Sequence, residues 1–597
     1  MPKEQKTRAQ MDARFLWKLE DIYPTDQAWE EDFQKAKPAA ARVAAFAGKL
    51  EQQLPEALCA LEEAELLLTR LYAYARMRRD EDNGNTTYQG LADRAQSLAV
   101  ELGAATAYFG PEVLALGREK VEAVLRAHPE LERFRRLLEG QLRLEAHTLG
   151  KAEETLLAQA GEMASAPDTI YSMLTDADMK FGFVTGEDGE KVELTHGRFI
   201  PLLQSPDRAV RKEAYETYYA AYRGLTNAIA ATYSASVKKD IFFAKARGYA
   251  SSREESLFEN EIPEGVYDAL IEAVHRHLPA MHRYLALRKK ALQLPELRFY
   301  DIYAPIVPDV QLGLPYEEAC KLVLEGLAPL GETYIQDLRR AFTDGWIDVY
   351  ENAGKTSGAY SWGVYGVHPY VLLNYEPTLD SLFTIAHELG HSMHTFYSDK
   401  NQAFLNSEYP LFLAEIASTT NEAILLSSLK EKFTRRDQRM ALCNYQLEQI
   451  RGTVYRQTLF AEFEREVHAM AMRGEALTAE ALTAVYRRLN EVYYKGAVVD
   501  DDIAIEWMRI PHFYRAFYVY QYATGYSAAV AFSRRVLSGD AHKRDQYLGF
   551  LASGSSKPPL ETLRLAGVDM ESPEPVEECL RSFEEALDEM ERLMEEA

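Results

Sequence analysis

Two histidines stand four residues apart, with a glutamate directly after the first, in His387-Glu388-Leu389-Gly390-His391. On a helix, side chains four apart lie about 40° from one another around the axis. Two imidazoles so arranged can meet one zinc ion at about 2.0–2.1 Å. Glu388 lies about 100° round from His387, beside the metal rather than on it. From there it can hold a metal-activated water and take its proton, which is hydrolytic chemistry.

A catalytic zinc carries three protein ligands and a water, so another donor is required. His394 lies one further turn along the same helix and reaches past the metal. The pattern HExxHxxGxxH is excluded, because His394 and Tyr397 stand where it needs Gly and His. Downstream, NSEYPLFLAEIASTTNEAILLSSLKEK reads as a helix opened by Pro410 and apolar or small at most positions. A polar stripe runs through it: Glu415, Ser418, Thr419 and Glu422, at offsets of 0, 3, 4 and 7. A carboxylate on a buried helix needs a partner. Glu415 is expected as the metal ligand, with Glu422 or Thr419 behind a histidine, orienting it. The competing reading pairs Glu415 with a core arginine.

A third chemical stretch is IPHFYRAFYVYQYATGYSAAVAFS, in which His512 precedes Tyr514, Tyr518, Tyr520, Tyr522 and Tyr526. Water attack on a carbonyl leaves negative charge on its oxygen, and phenol or imidazole donors stabilise it. Tyr514, Tyr518, Tyr522 and Tyr526 recur every four residues, which predicts one helical stripe with Gly525 loosening its end. Taken without the zinc motif, such a stripe reads more simply as core packing.

These residues need elements to carry them. Thr378-Leu379-Asp380-Ser381 supplies capping residues, and Leu382, Phe383, Ile385, Ala386, Leu389 and Met393 supply an apolar face, so the motif sits on a helix. Just before it, GWIDVYENAGKTSGAYSWGVYGVHPYVLLNYEPT offers strands at Trp346–Tyr350 and Tyr370–Tyr375 around a Gly/Ser/Tyr-rich loop. Tyr370–Tyr375 is predicted as a free sheet edge onto which a peptide adds as a strand. Gly358, Gly363 and Gly366 would let the loop backbone approach that peptide.

Elsewhere helical spacing prevails, as in residues 50–79, 120–150 and the acidic C-terminal stretch, which reads as a solvated helix face. Ser205 and Pro206 are expected to open another helix. Phe181–His196 alternates around Asp188-Gly189, a hairpin signal. The predicted division is an N-terminal helical region, 1–196, ending in that hairpin, and a catalytic region, 197–597. The latter holds the zinc helix at about 379–397, the third-ligand helix at about 410–430 and the His/Tyr segment at 510–526.

With 597 residues, more than one core is expected. Acidic residues outnumber basic ones 92 to 67, for a net charge of -25. That charge disfavours nucleic acid and anionic membrane as partners. It tolerates basic peptides, and its simplest reading is solubility. Cys59, Cys320, Cys443 and Cys579 are too scattered for a disulfide framework or a zinc-thiolate cluster. Free thiols, a polar N-terminus and no long apolar run predict a cytoplasmic protein.

Three segments, GAYSWGVYGVHPYVLLNYEPTLDSLFTIAHELGHSMH, FLAEIASTTNEA and IPHFYRAFYVYQYATGYSAA, closely resemble the M3 metallopeptidases of the oligoendopeptidase F branch. The resemblance runs from about residue 200 to 580. It implies a mainly α, multi-helical, ellipsoidal zincin-type fold, with a deep central channel and a small β-sheet beside the HExxH helix. It implies one zinc per chain and cleavage of internal bonds in short unstructured oligopeptides. Residue by residue, His387, His391 and Glu415 match the zinc ligands and Glu388 the catalytic base. His512 matches the family's active-site histidine, and Tyr526 the tyrosine that hydrogen-bonds the oxyanion. Tyr518 and Tyr522 match its neighbours. The spacing from His512 to the Gly-Tyr pair departs by two residues from the thimet-oligopeptidase branch. Carboxypeptidase action, hydrolysis of another amide and non-catalytic peptide binding are the competing functions. Oligomeric state is left open.

Overall fold

The computed structural model describes residues 5–307 and 313–596; residues 1–4, 308–312 and 597 lie outside that description. Helices dominate, as expected. Among the described residues, seven strands of two or three residues form three small sheets and no barrel. The chain folds into two compact units interleaved along the sequence. The first is Met1–Ala146, Gln311–Leu429 and Phe532–Val568; the second is His147–Val310, Lys430–Ala531 and Asp569–Ala597. The sequence-derived boundary at residue 196 therefore falls inside the second unit.

In the second unit, β1 (Phe183–Thr185) and β2 (Lys191–Glu193) form the expected antiparallel hairpin. β3 (Leu297–Arg298) waits for a partner much later in the chain. The helix expected to open at Ser205-Pro206 instead begins at Arg208. Asp207 Oδ1 accepts from the Ala209 N–H at 2.8 Å and so becomes the cap, while Ser205 Oγ accepts from the Asp207 N–H at 3.1 Å. The last helix, Glu574–Glu595, buries Cys579, Leu580, Phe583, Leu587 and Met590 against the Arg436–Ile450 and Glu264–Ala291 helices. The expected solvated acidic face is only part of the outcome: Glu577, Glu584 and Glu591 pair with Arg276, His277 and Arg283, and Glu589 pairs with Lys430 and Arg439.

In the first unit, helices Asp26–Ala44, Leu50–Glu81 and Thr86–Thr106 pack together. The 120–150 stretch is not one helix, because Pro129 interrupts it and a 3₁₀ segment follows. Trp17, Trp29, Leu71, Tyr74 and Leu98 from this region share one core with Tyr370 and Leu372. Those last two belong to a three-stranded sheet of β4 (Ile347–Asp348), β5 (Tyr360–Trp362) and β6 (Tyr370–Leu372). The remaining strand, β7 (Ala497–Val498) of the second unit, pairs in parallel with β3.

The sheet order is β4-β6-β5, parallel then antiparallel, and this corrects the expected substrate edge. β6 is central because Tyr360–Trp362, read from sequence as loop, pairs with it. The outer side of β4 is lined by the N-terminal chain, with Val349 N–H donating to Phe15 O at 2.9 Å. The edge strand is β5. Lys355 Nζ, fully buried, donates to the carbonyls of Asp348, Tyr350 and Leu373 and pairs with the Asp348 carboxylate at 2.7 Å. That one ammonium ties the ends of β4 and β6 together.

Candidate active site

The motif helix runs from Leu379 to Asn401, and Thr378 caps it by accepting from the Ser381 N–H at 3.1 Å. The next long helix, Leu411–Lys432, carries Glu415 and Glu422. The two helices touch backbone to backbone at Gly390. A Cβ there would lie 2.5 Å from Ser418 Cα and 2.7 Å from Ala417 O. Asn421, fully buried, donates from Nδ2 to Ala386 O at 3.2 Å and accepts from the Tyr334 hydroxyl at 3.1 Å. Sequence reasoning missed both residues. The available signal for Gly390 was a glycine inside a helix, which costs about 1 kcal/mol and therefore calls for a packing reason.

This contact brings together three side chains that could hold a metal ion. Glu415 Oε2 lies 3.4 Å from His387 Nε2 and 3.5 Å from His391 Nε2. Ligand atoms of His387, His391 and Glu415 all fall within 4.8 Å of one another. Two donors bound at about 2.0–2.1 Å on the corners of a tetrahedron are about 3.3–3.4 Å apart. The donor set therefore fits a tetrahedral zinc with one position left for water or substrate. Glu422 Oε1 accepts from His387 Nδ1 at 2.5 Å, which leaves Nε2 available to a metal. Of the two residues expected behind a histidine, Glu422 makes this contact. Glu415 has no arginine partner among the described residues. Its ion-pair partners are the two histidines, and Ser418 Oγ donates to its Oε2 at 3.1 Å.

The electrostatics point the same way. Burial disfavours the imidazolium of His387, but hydrogen bonds to Glu415 and Glu422 outweigh it and push its pKa up to about 10. Glu415 is held far below the usual carboxylate range, because His387 and His391 outweigh its burial. Glu388 is 7% exposed, and burial raises its carboxyl above the usual range despite the two histidines. Three carboxylates around two imidazoles attract a cation, and a metal binding there displaces protons. His394 plays no part in the cluster. It is fully buried and stacked on Tyr409 at 3.6 Å, and burial holds it neutral, with a pKa of about 3.

β5 lies along the motif helix. Ser361 Oγ and Ser392 Oγ are 2.8 Å apart, and Ser392 Oγ donates to Glu388 O at 3.0 Å. The close approach at Gly363 is to the protein's own Thr395, whose Cγ2 would lie 2.2 Å from an added Cβ. Gly358 and Gly366 take positive φ in turns. The expected role of these glycines, approach to a peptide, gives way to packing of the loop on its own helix.

His512, Tyr518, Tyr522 and Tyr526 belong to the second unit. The predicted continuous stripe is broken. A 3₁₀ turn, Pro511–Tyr514, carries His512, and the helix proper starts at Tyr520. Between them Phe517 sits at φ 53°, its N–H donating to Glu464 Oε1 at 3.0 Å. A buried aromatic residue in the left-handed region ends any helix. Tyr514 is core: its hydroxyl is 2.7 Å from Thr232 Oγ1 and its ring stacks on Tyr171 at 4.4 Å. His512 stacks on Tyr518 at 5.9 Å and meets Tyr522 edge-on at 6.0 Å, and the Tyr522 hydroxyl donates to the Tyr518 hydroxyl at 3.5 Å. Partial burial and Arg515 hold His512 below the usual imidazole range. Tyr526 lies one turn beyond Tyr522, and Gly525 is interior to the helix rather than at its end.

Residues 201–582 match Peptidase family M3, and residues 112–181 match a second family, Oligopeptidase F. The chain is 46% identical to "Oligopeptidase PepF" of Bacillus subtilis (strain 168), over 98% of this chain and 88% of that protein. It is 40% identical to "Oligoendopeptidase F homolog" of Lactococcus lactis subsp. lactis (strain IL1403), over 99% of each. Among solved structures, a putative peptidase from Chlamydophila abortus superposes with TM-score 0.93 at 34% identity, covering 99% of this chain and 100% of that one. Oligoendopeptidase-F from Enterococcus faecium superposes with TM-score 0.75 at 35% identity, covering 96% and 100%.

Proposed function

The chain belongs to peptidase family M3 and is a metal-dependent endopeptidase acting on oligopeptides, and from that premise we propose how its residues divide the work. His387, His391 and Glu415 hold one zinc ion per chain. When bound, zinc supplies a Lewis acid for the attacking water and the scissile carbonyl. Glu388 takes the proton of that water and later delivers it to the leaving amine. Glu422 holds His387 in the tautomer that ligates through Nε2. His512 and Tyr526 donate hydrogen bonds to the developing oxyanion, with Tyr518 and Tyr522 beside them.

The substrate binds as an added strand on β5, and its internal bonds are cut. Short unstructured peptides are the substrates, since a strand-adding peptide must be extended. Four free cysteines, three of them buried, support action in a reducing, cytoplasmic setting. Among the described residues no helix is long and apolar enough to cross a membrane.

The observation that supports this assignment most is the 3.4 and 3.5 Å separation of Glu415 from the two histidine nitrogens. Two measurements test it. Glu415→Ala should lose zinc, read by metal analysis of the purified protein; unchanged occupancy would remove Glu415 from the ligand set. Product masses from a mixed peptide library, with and without a zinc chelator, should show internal cuts that stop with the chelator. Single-residue trimming would make the protein a carboxypeptidase, and chelator-resistant cutting would remove the metal.

A further inference from the structure

The second unit buries an arginine cluster that peptide hydrolysis does not use. Six guanidiniums share three carboxylates, two on each. Arg208 and Arg211 both meet Asp301, at 2.9 Å. Arg288 and Arg451 meet Glu448, at 3.4 and 2.7 Å. Arg456 and Arg509 meet Glu506, at 2.7 and 3.1 Å. Arginine does not release its proton in a protein, so these nine side chains carry three positive charges in excess. Arg211, Arg288 and Arg451 are no more than 3% exposed. The whole chain, by contrast, carries -25. Buried charge without a counter-charge is costly.

A cavity of about 20 Å³ opens beside three members of this cluster: Arg451, Arg456 and Arg509 line it against the single carboxylate of Glu506, with Tyr219, Tyr303 and Tyr494 and, on its apolar side, residues such as Phe199 and Ile302. Tyr219 and Tyr494 are 1% and 2% exposed. Among the described residues, Arg451 Nη1 is buried and lacks a hydrogen-bond partner. The volume suits a small occupant. A water would accept from Arg451 Nη1 and leave the charge excess. A monatomic anion is the smallest occupant that answers both.

We propose that this cavity is a halide site, in which one chloride ion sits among Arg451, Arg456 and Arg509 and accepts hydrogen bonds from Tyr219, Tyr303 and Tyr494. The potential there is positive enough to be felt by a neutral group. Burial opposes ionisation of Tyr303, yet Arg456 and Arg451 outweigh it and hold its hydroxyl below the usual phenol range. Ile503, Glu506 and Arg509 on the cavity wall belong to the turn Ile503–Arg509, which leads directly into the turn carrying His512. The ion therefore anchors the stem of that segment.

The full-length protein, dialysed into sodium gluconate, tests this. Its thermal midpoint is followed as chloride, bromide or sulfate replaces gluconate at constant ionic strength. Chloride and bromide should raise the midpoint along a saturating curve, and sulfate should not. Crystals grown in sodium bromide should show an anomalous peak in the cavity. Tyr494→Phe, which keeps the ring, should raise the half-saturating chloride concentration about tenfold or more. A response shared equally by sulfate, one that never saturates, or a cavity peak without anomalous signal overturns the proposal. So does tyrosinate absorption at neutral pH that Tyr303→Phe abolishes, since Tyr303 itself would then carry the counter-charge.

Discussion

The 378–432 region and the 510–526 segment solve opposite problems. In the first, two unbroken helices meet at Gly390 and bring Glu415 within 3.4 and 3.5 Å of two histidine nitrogens. A metal tolerates errors of about 0.2 Å in its ligand distances, and the backbone-close contact at Gly390 holds the two helices in a fixed relation. In the second, the chain passes from a 3₁₀ turn through Phe517 at φ 53° into a helix, and its rings stand 5.5–6.0 Å apart. Donors to a substrate oxygen complete their geometry only when substrate is present. The proposed metal site is therefore built into helix packing, whereas the proposed donor segment is held by anchors at a backbone break. The expected consequence is that changes in the first region act on metal and chemistry, and changes in the second on chemistry alone.

The largest effect is expected from Glu388→Gln. Loss of the proton acceptor should lower kcat by about 10²–10⁴-fold on a quenched fluorescent peptide. Zinc content should stay near one per chain, because Glu388 is not a ligand. Retained turnover would remove Glu388 from the mechanism. Tyr526→Phe should follow, at about 10²–10³-fold in kcat with metal content unchanged. If Tyr522→Phe or Tyr518→Phe costs more than Tyr526→Phe, the oxyanion donor has been assigned to the wrong tyrosine. A loss of zinc in any of the three would break the contrast between the regions.

A smaller effect is expected from Glu422→Gln, which keeps the shape but weakens the hold on His387 Nδ1. Zinc affinity should fall by about 10–100-fold, read by competition with a chelator. Activity at saturating zinc should largely return. That recovery separates a residue acting through His387 from one acting on substrate, and failure to recover would place Glu422 among the groups that touch the reaction.

The legibility of the two regions in sequence differs for the same physical reason. The motif helix is readable because its cap, its apolar face and its ligand spacing are all local, and Thr378 caps it as expected. Glu415 is readable because a lone polar stripe crosses an otherwise apolar helix. The contact at Gly390 is not, since nothing local says which backbone will lie 2.5 Å away. β5 escapes for a related reason: three residues pair with β6 under a covering of N-terminal helices far away in sequence. In the donor segment, four-residue tyrosine spacing imitates a helix that Phe517 interrupts. That break depends on Glu464, fifty-three residues earlier, accepting the Phe517 N–H.

The smallest expected effects lie in stability, and they have opposite signs in the two regions. His394, on the motif helix, has its pKa lowered from an ordinary 6.5 to about 3, because burial disfavours the imidazolium. The unfolded chain therefore takes up a proton that the folded chain refuses, and stability is lost as pH falls from about 6.5 toward about 3, by about 2 kcal/mol at about pH 5. Glu464, under the donor segment, is fully buried and its pKa is raised well above 4.5, chiefly by that burial. Burial favours its neutral form in the folded state, so its contribution is present below about pH 4.5 and is lost as pH rises above it. His394→Phe keeps the stack on Tyr409 and removes the proton; Glu464→Gln keeps an acceptor for the Phe517 N–H and removes the charge. Against the unsubstituted protein, the first variant should gain urea stability at about pH 5 relative to about pH 8, and the second should gain at about pH 8 relative to about pH 5. Equal shifts of the same sign would mean that the two buried groups do not titrate as their surroundings dictate. Opposite shifts would show that one region is held by refusing a proton and the other by keeping one.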